Sequence, residues 1–423
     1  MNLMMILRQL WNQRAANGWI LGELVVVTYF LWGVVDPVYV LLSDKALPDH
    51  YDLTDTYLLS IGEYSTNHTK YKPEMASDSL KRIDFMRIVD QVRRYPGVSN
   101  VTVSLFNSYP QSGGWNGGQV FNDTILAYSQ QMTFLSGTDY FGVFRIHDAR
   151  TGQIPPVLAE GEQGIYLTPD LAEKLFGEKY PQNKWVHWGD TTRKFPLTAI
   201  IDPVQIRSNN QPSPLIFKTT SELKHLPGRV RICFRVRDGL ASPVFTETFK
   251  REMRPRMQIG NYYLASLTDF RTESKNFEYY MGTTGTIRLQ TILALFFLLC
   301  VFLGMGGTFW LRCNARREEI GLYMAMGSNR HRLIRQFLFE AWWMVTIAFV
   351  VGALVQLQIV YLNGFAFPPD NPIPDYIQNR PVLHFLIVSV ISYVLILAVS
   401  FVATYIPVSK AARMNPADAL RDE

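Results

Sequence analysis

The side chains that could carry out chemistry are histidines and acidic residues, and their spacing matches no catalytic or metal-binding pattern. The chain has no H-E-x-x-H, in which two histidines one helical turn apart bind zinc, and no G-x-S-x-G nucleophile elbow. The histidines are instead scattered along the sequence: His50, His68, His147, His187, His225, His331 and His384. The sequence therefore predicts no catalytic residue, no metal site and no cofactor bound by this chain.

Motifs for nucleotide phosphates and nucleic acids are also missing from the sequence. Without G-x-x-x-x-G-K-[ST], the chain cannot hold nucleotide phosphates in the manner of a P-loop. The formal net charge of +5 is small for 423 residues, and we assign it to the basic loops of a membrane protein. We expect no nucleic-acid partner.

Three acidic residues lie within or beside long apolar runs, where a charged side chain is costly. They are Glu23, Asp36 and Glu340. Placement at the membrane–water interface is favoured over a role in an ion relay, and both alternatives remain open. Asp36 precedes Pro37, which is expected to end or kink its helix because proline lacks a backbone N–H.

Four apolar runs position these residues and predict four transmembrane helices in contact with membrane lipid. A helix needs about 20 residues to cross the hydrocarbon core, and continuous apolar runs of this length favour helices over a barrel. The runs cover residues 19–42, 287–311, 341–367 and 383–408. The first run could instead be a cleaved signal peptide, but it is too long for one and no A-x-A-like site follows it.

Basic residues beside the runs predict the orientation, because cytoplasmic loops carry an excess of arginine and lysine. They lie before the first run, between the second and third, and after the fourth: Arg8, Arg14, Arg312, Arg316, Arg317, Arg330, Arg332, Arg335, Lys410, Arg413 and Arg421. Both termini should therefore be cytoplasmic. The other segments would be an amphipathic cytoplasmic helix (1–18), an extracytoplasmic domain (43–286), a cytoplasmic coupling segment that begins a long helix (312–340), a short outer loop (368–382) and a cytoplasmic tail (409–423).

The large extracytoplasmic segment has the pattern of an α+β domain. Apolar spacing predicts a helix over Ser77–Arg94, and alternating residues predict a strand over 100–105. A similar unit follows later, with strands predicted over 230–236 and 262–267 and a helix over 244–253. Two such units are typical of a split βαβ arrangement and suggest an internal duplication.

The segment from Arg316 to Ser328 is short, charged and helix-like, and it lies between the second and third apolar runs. Gly327 suits the position that ends a helix, and Ser328 can cap a new helix that continues into the third run. A short helix of this kind is either a docking element for another protein or a simple connecting hairpin. Chemistry alone leaves both alternatives open.

The residues Arg317-Glu318-Glu319-Ile320-Gly321-Leu322-Tyr323-Met324-Ala325-Met326-Gly327 resemble the coupling segment R-x-E-I-G-x-x-x-A-x-G of the FtsX/MacB-type permeases of ABC transporters. Residues 407–421 resemble the closing pattern of that family, P-x-x-x-A-x-x-x-x-P-x-x-A-L-R. The order of one helix, a large outer domain and three further helices also agrees. The resemblance is strong in these two motifs and weak over residues 43–163.

The resemblance implies a bacterial inner-membrane permease without catalytic activity, driven by a separate ABC ATPase that binds the ATP and Mg²⁺. Such permeases form dimers, here with a second copy or a related permease, and transmit motion to the outer domain rather than passing substrate between their helices. The residues implied in ATPase coupling are Arg317, Glu319, Ile320, Gly321, Met324, Ala325 and Gly327, and those of the C-terminal motif are Pro407, Pro416, Ala419 and Leu420. Ile320 and Met324 are expected to present apolar side chains to the ATPase.

Several biological outputs are compatible with this resemblance. The favoured one is a MacB-like export or efflux system, in which a periplasmic adaptor and an outer-membrane channel would receive the motion. The alternatives are an FtsX-like regulator of a cell-wall hydrolase, a lipoprotein-releasing permease, and a membrane receptor without an ATPase. The sequence does not choose among substrates.

Overall fold

The computed structural model describes residues 14–112, 117–189, 193–207, 210–223, 226–326, 329–365 and 374–413. The predictions for the N-terminal amphipathic helix up to residue 13, and for Gly327, Pro416, Ala419 and Leu420, lie outside these residues. The chain divides into two compact units. We call Asp44–Thr283 the large unit, and Met1–Ser43 together with Thr284–Glu423 the helical unit.

The described residues form eleven α-helices and ten β-strands. The helices are α1 (Arg14–Lys45), α2 (Asp78–Arg93), α3 (Tyr140–Phe144), α4 (Pro169–Phe176), α5 (Pro243–Arg256), α6 (Phe270–Tyr280), α7 (Thr283–Ala315), α8 (Arg317–Ala325), α9 (Arg330–Asn363), α10 (Asp375–Asn379) and α11 (Pro381–Ala411). The strands are β1 (Thr56–Glu63), β2 (Val98–Leu105), β3 (Gly117–Phe121), β4 (Leu126–Leu135), β5 (Ile165–Leu167), β6 (Trp185–Trp188), β7 (Lys194–Ile200), β8 (Leu215–Thr220), β9 (Val230–Val236) and β10 (Tyr262–Asp269).

Helices α1, α7, α9 and α11 are long and apolar enough to cross a membrane. The fold class is therefore the predicted one, a four-helix membrane protein with a large α+β domain. Helices α1, α7 and α11 continue beyond their apolar runs at both ends. Helix α9 begins in the basic segment, runs without interruption into the third run and ends at Asn363, four residues before the predicted end of that run. Pro37 does not end its helix, because α1 continues through it to Lys45, and the alternative of a kink stays a prediction. Asn329 caps α9 by accepting a hydrogen bond from the N–H of His331, in place of the predicted Ser328.

One apolar core joins the four long helices of the helical unit. From α1 it takes residues three or four apart, as expected of one helix face: Ile20, Leu24, Val27 and Leu31. Close approach is clearest between α1 and α9, where a Cβ added to Gly352 would lie 2.8 Å from Cβ of Thr28 and 3.0 Å from the carbonyl oxygen of Val25. Small residues at such crossings let membrane helices pack tightly.

The large unit contains a split βαβ sheet, with strands in the order β10-β1-β9-β2. All three pairings are antiparallel. The predicted helix over Ser77–Arg94 is α2, capped by the Ser77 side chain, and the second predicted unit is β9-α5-β10. Both units are confirmed, and they combine in one sheet with a shared core that includes Phe85, Phe234 and Phe249. The suggested duplication stays a prediction.

Residues 106–229 are inserted between the two halves of this sheet. Their strands follow the order β4-β3-β6-β7-β5-β8, and β8 also pairs with β4 in parallel, so these six strands close on themselves. Closure leaves no unpaired edge between the first and last strands. The buried side chains inside include Ile165, Leu167 and Ile216.

Candidate coupling site

Helix α8, which matches the coupling pattern, is a separate short helix between two long ones. It begins after Arg316 and ends at Ala325, so the predicted helix is present. Glu318 and Glu319 lie in its first turn, where carboxylates interact favourably with the positive end of the helix dipole. Local sequence therefore explains where this helix begins.

One face of α8 packs into the core of the helical unit. Ile320 is only 4% exposed and belongs to the same core as Phe337 and Val408. Gly321 is also buried, and Met324 packs partly against that core. The structure thus places Ile320 inside its own helix bundle, which contradicts the expectation that it presents an apolar side chain to a partner.

The opposite face of α8 carries two carboxylates and two large apolar side chains. Glu318 and Glu319 are exposed, Leu322 is 53% exposed and Met326, just beyond the helix, is 68% exposed. Because Leu322 is three or four positions from each of the other three residues, they lie on one side. We call these four residues the outer face of α8. Leu322 and Met326 were not among the predicted contact residues, although their spacing was visible in the sequence.

A buried ionic cluster joins the helices on either side of α8. The Glu340 side chain is 4% exposed, and its two carboxylate oxygens lie 3.8 Å from Arg312 and 3.9 Å from Arg316. Arg312 also lies over the Phe309 ring, 5.2 Å from its centroid. We call Arg312, Arg316 and Glu340 the Arg–Glu cluster. It connects the end of α7 and the start of α8 to α9, and sequence reasoning found Glu340 without finding its partners.

The other two acidic residues predicted in the membrane lie elsewhere in the bundle. Asp36 is buried and pairs with His384, with 2.6 Å between Oδ1 and Nε2. One turn earlier on α1, the indole N–H of Trp32 donates to Ser389. Glu23 approaches the backbone of α7, where a Cβ on Gly304 would clash with the Glu23 carboxylate. Each of the three acids therefore has its own neighbours in the bundle, and a role in an ion relay stays untested.

The remaining predicted site residues that the structure describes lie at or near the ends of α8 and α11. Arg317 is half-buried at the first position of α8, and Ala325 is its last residue. Pro407 lies inside α11, close to its end. Within the described ranges, histidine, cysteine and acidic side chains form no group of three or more that could hold a metal ion.

The region that contains α8 and the Arg–Glu cluster matches a known family. Residues 291–416 match the family described as FtsX-like permease C-terminal. The macrolide export ATP-binding/permease protein MacB of Bordetella avium is 28% identical over 338 residues, covering 78% of this chain and 44% of that protein. The chain has the C-terminal region of an FtsX-like permease.

MacB proteins of other bacteria are also similar to this permease. MacB of Neisseria meningitidis is 22% identical over 271 residues, which cover 62% of the permease and 39% of the relative. The permease thus spans about two fifths of the length of the relatives that it matches. Among solved structures, the periplasmic region of MacB from Actinobacillus actinomycetemcomitans is similar, with 14% identity, a TM-score of 0.33 and coverage of 53% of the permease and 93% of that chain.

Proposed function

We propose that this permease transmits ATP-driven motion from an ABC ATPase to its large unit, as part of a MacB-like export system. The ATPase lies outside these 423 residues, and ATP and Mg²⁺ bind to it. In this proposal α8 faces the cytoplasm and the large unit lies outside the membrane, as the arginine distribution favours. The observation that carries the proposal is that only one side of α8 is buried, with Ile320 inside the bundle and Leu322 exposed.

The outer face of α8 is the surface that the ATPase contacts. Leu322 and Met326 supply apolar side chains for a groove, because both are exposed. Glu318 and Glu319 accept hydrogen bonds from basic groups at its rim. A helix seated in a groove through apolar residues three to four positions apart is a common mode of recognition.

The inner face of α8 passes the displacement to the long helices. Ile320 packs into the core that all four long helices share, so α8 cannot shift without moving its neighbours. The Arg–Glu cluster holds the adjoining ends of α7 and α9 together. Motion of α8 therefore reaches α7, which is preceded by α6 of the large unit across Gly282.

The partners follow from this arrangement. A dimer of permeases, either two copies or two related chains, presents one α8 to each of two ATPase subunits. A periplasmic adaptor and an outer-membrane channel receive the motion of the large unit in an export system. The surrounding lipid contacts the exposed apolar side chains of α7, α9 and α11.

The test compares apolar-to-acid variants on the two units of the chain. The tagged full-length permease is purified from its native membranes in mild detergent, the co-purifying ABC ATPase is identified, and its ATP turnover is measured in nanodiscs. Leu322→Glu should abolish both co-purification and stimulated turnover, because it places a charge at the apolar contact. The control is Val244→Glu, at an apolar position of the large unit that is 75% exposed against 53% for Leu322.

Membrane insertion and thermal stability of both variants should match the wild type. Retention of full ATPase stimulation by Leu322→Glu would show that α8 is a connecting hairpin. An equal loss in Val244→Glu would show that the effect does not depend on α8.

A further inference from the structure

The large unit has a charged cavity of about 540 Å³ beside α6. The segment that follows α1 lines one side, with Asp49 and Tyr51, and α6 lines the other, with Arg271, Ser274 and Lys275. All of these residues belong to the large unit. No motif in the sequence indicated this cavity, because its two walls are more than 200 positions apart.

Chain connectivity places this cavity close to the membrane. Asp49 follows Lys45, the last residue of α1, by four positions, and Glu278 precedes Thr283, the first residue of α7, by five. At no more than about 3.5 Å per residue, Asp49 lies within about 14 Å of the end of α1 and Glu278 within about 18 Å of the start of α7, while Lys275 and Arg271 lie further along α6. The bilayer surface at this level consists of lipid headgroups.

Helix α6 has the side chains of a membrane-surface helix. Tyr279 and Tyr280 at its end are 74% and 84% exposed, and tyrosine is enriched at the membrane–water interface. Arg271 and Lys275 are four positions apart, so they lie on one face, and both are exposed. Neither forms an ion pair or a side-chain hydrogen bond within the described part of the chain, although other charged residues of this cavity are paired.

The unpaired charges fit a particular ligand. Two cations on α6 face a cavity whose opposite wall carries Asp49, which has no ion-pair partner within the described residues. Burial raises the pKa of the Asp49 carboxyl, while the neighbouring His50 lowers it. A phosphodiester matches the two neighbouring cations, Arg271 and Lys275, and an ammonium group matches the Asp49 carboxylate.

We propose that this cavity binds the headgroup of a zwitterionic phospholipid, with its phosphate at Arg271 and Lys275 and its ammonium at Asp49. The bound lipid ties α6 to the membrane surface immediately before α7. Binding depends on the membrane passage of α1 and α7 and is independent of any ATPase. A soluble phosphate ester shares the same chemistry, so the experiment separates these two sources.

The test uses the full-length permease in nanodiscs of phosphatidylcholine that contain a small fraction of photoactivatable phosphatidylethanolamine. Cross-linked lipid on peptides from α6 and from residues 49–54 is measured by mass spectrometry. Labelling in Arg271→Gln/Lys275→Gln should fall by up to about 25-fold, because an exposed ion pair contributes at most about 1 kcal/mol, a factor of about five, for each cation. Each single variant should fall by up to about fivefold, which keeps the test valid if the double variant folds poorly.

The matched control is Arg251→Gln/Arg254→Gln, which removes two exposed cations from α5 and should leave labelling unchanged. Asp49→Asn should reduce the preference for phosphatidylethanolamine over phosphatidylglycerol. Unchanged labelling in the double variant, or an equal fall in the control, would overturn the site. Displacement of the label by soluble glycerophosphoethanolamine at no more than the bulk concentration of the labelled lipid would overturn its assignment to a membrane lipid, because an anchored lipid has the higher local concentration. An unaltered headgroup preference in Asp49→Asn would overturn the ammonium contact.

Discussion

The Arg–Glu cluster makes a quantitative prediction about the stability of the helical unit. The side chains of Arg312 and Glu340 are 10% and 4% exposed, so their charges are largely removed from water. Breaking a buried ion pair by removing one partner costs about 3–5 kcal/mol, because the other charge stays buried. Since Arg316 also approaches Glu340, at 3.9 Å, the loss of Arg312 is partly compensated and we expect the lower value for Arg312→Met.

Glu340→Gln keeps the side-chain volume and removes the carboxylate that both arginines approach, so its cost should be at least as large. A loss of about 3 kcal/mol lowers the melting temperature of a unit of this size by about 6–12 °C. The measurement is thermal unfolding of the full-length permease in nanodiscs, followed by tryptophan fluorescence. The double variant Arg312→Met/Glu340→Gln should recover about 0.5–3 kcal/mol relative to the sum of the single variants.

The control is Arg93→Gln, which breaks the pair of Arg93 with Asp90, both 49% exposed. Such surface pairs contribute at most about 1 kcal/mol. If Glu340→Gln lowers the melting temperature no more than Arg93→Gln does, the cluster does not hold α7 to α9. Strict additivity of the two single variants would equally refute a direct interaction.

Two further measurements test packing and charge elsewhere. Gly352→Ala should destabilise the helical unit by about 1–3 kcal/mol in thermal unfolding, because the added Cβ would lie 2.8 Å from Thr28. The control, Gly307→Ala, adds a Cβ with nothing within 4 Å and should not destabilise it. Equal effects of the two variants would contradict the tight α1–α9 crossing. Burial alone would raise the pKa of Asp52, but hydrogen bonds from Thr54 and two neighbouring arginines lower it below the ordinary value. The Asp52 contribution to stability is therefore present above about pH 4 and is lost as pH falls through the lowered pKa, so Asp52→Asn should be less stable than the wild type at pH 6 and converge with it in acid.

Local patterns in the sequence were sufficient to predict several elements of the fold. The helix over Ser77–Arg94 begins at a serine cap and ends before a Pro-Gly pair, and the strand at Val230–Val236 alternates clearly. Both signals depend on neighbouring residues only. The start of α8 was predictable for the same reason, since its acidic first turn lies directly after the basic end of α7.

Contacts between distant residues could not be predicted from the sequence. Asp36 and His384 are 348 positions apart, and the parallel pairing of β4 with β8 joins strands about 85 positions apart. The sequence also did not show that the Ile320 side chain packs into the helix bundle. An apolar residue on a short amphipathic helix suits its own core and a partner's groove equally well, and only the positions of the surrounding helices decide between them.

The split sheet of the large unit has a consequence for how such chains diversify. The insertion of residues 106–229 leaves at Leu105 and returns at Val230, and these two residues are directly paired across neighbouring strands. Strand ends in this position can be joined by a two-residue hairpin turn. The sheet can therefore accommodate a different insertion at this point. Replacing the present insertion leaves the strand order β10-β1-β9-β2 intact but has to preserve its packing on Leu58 of β1 and Phe270 of α6, which share one core with residues of the insertion.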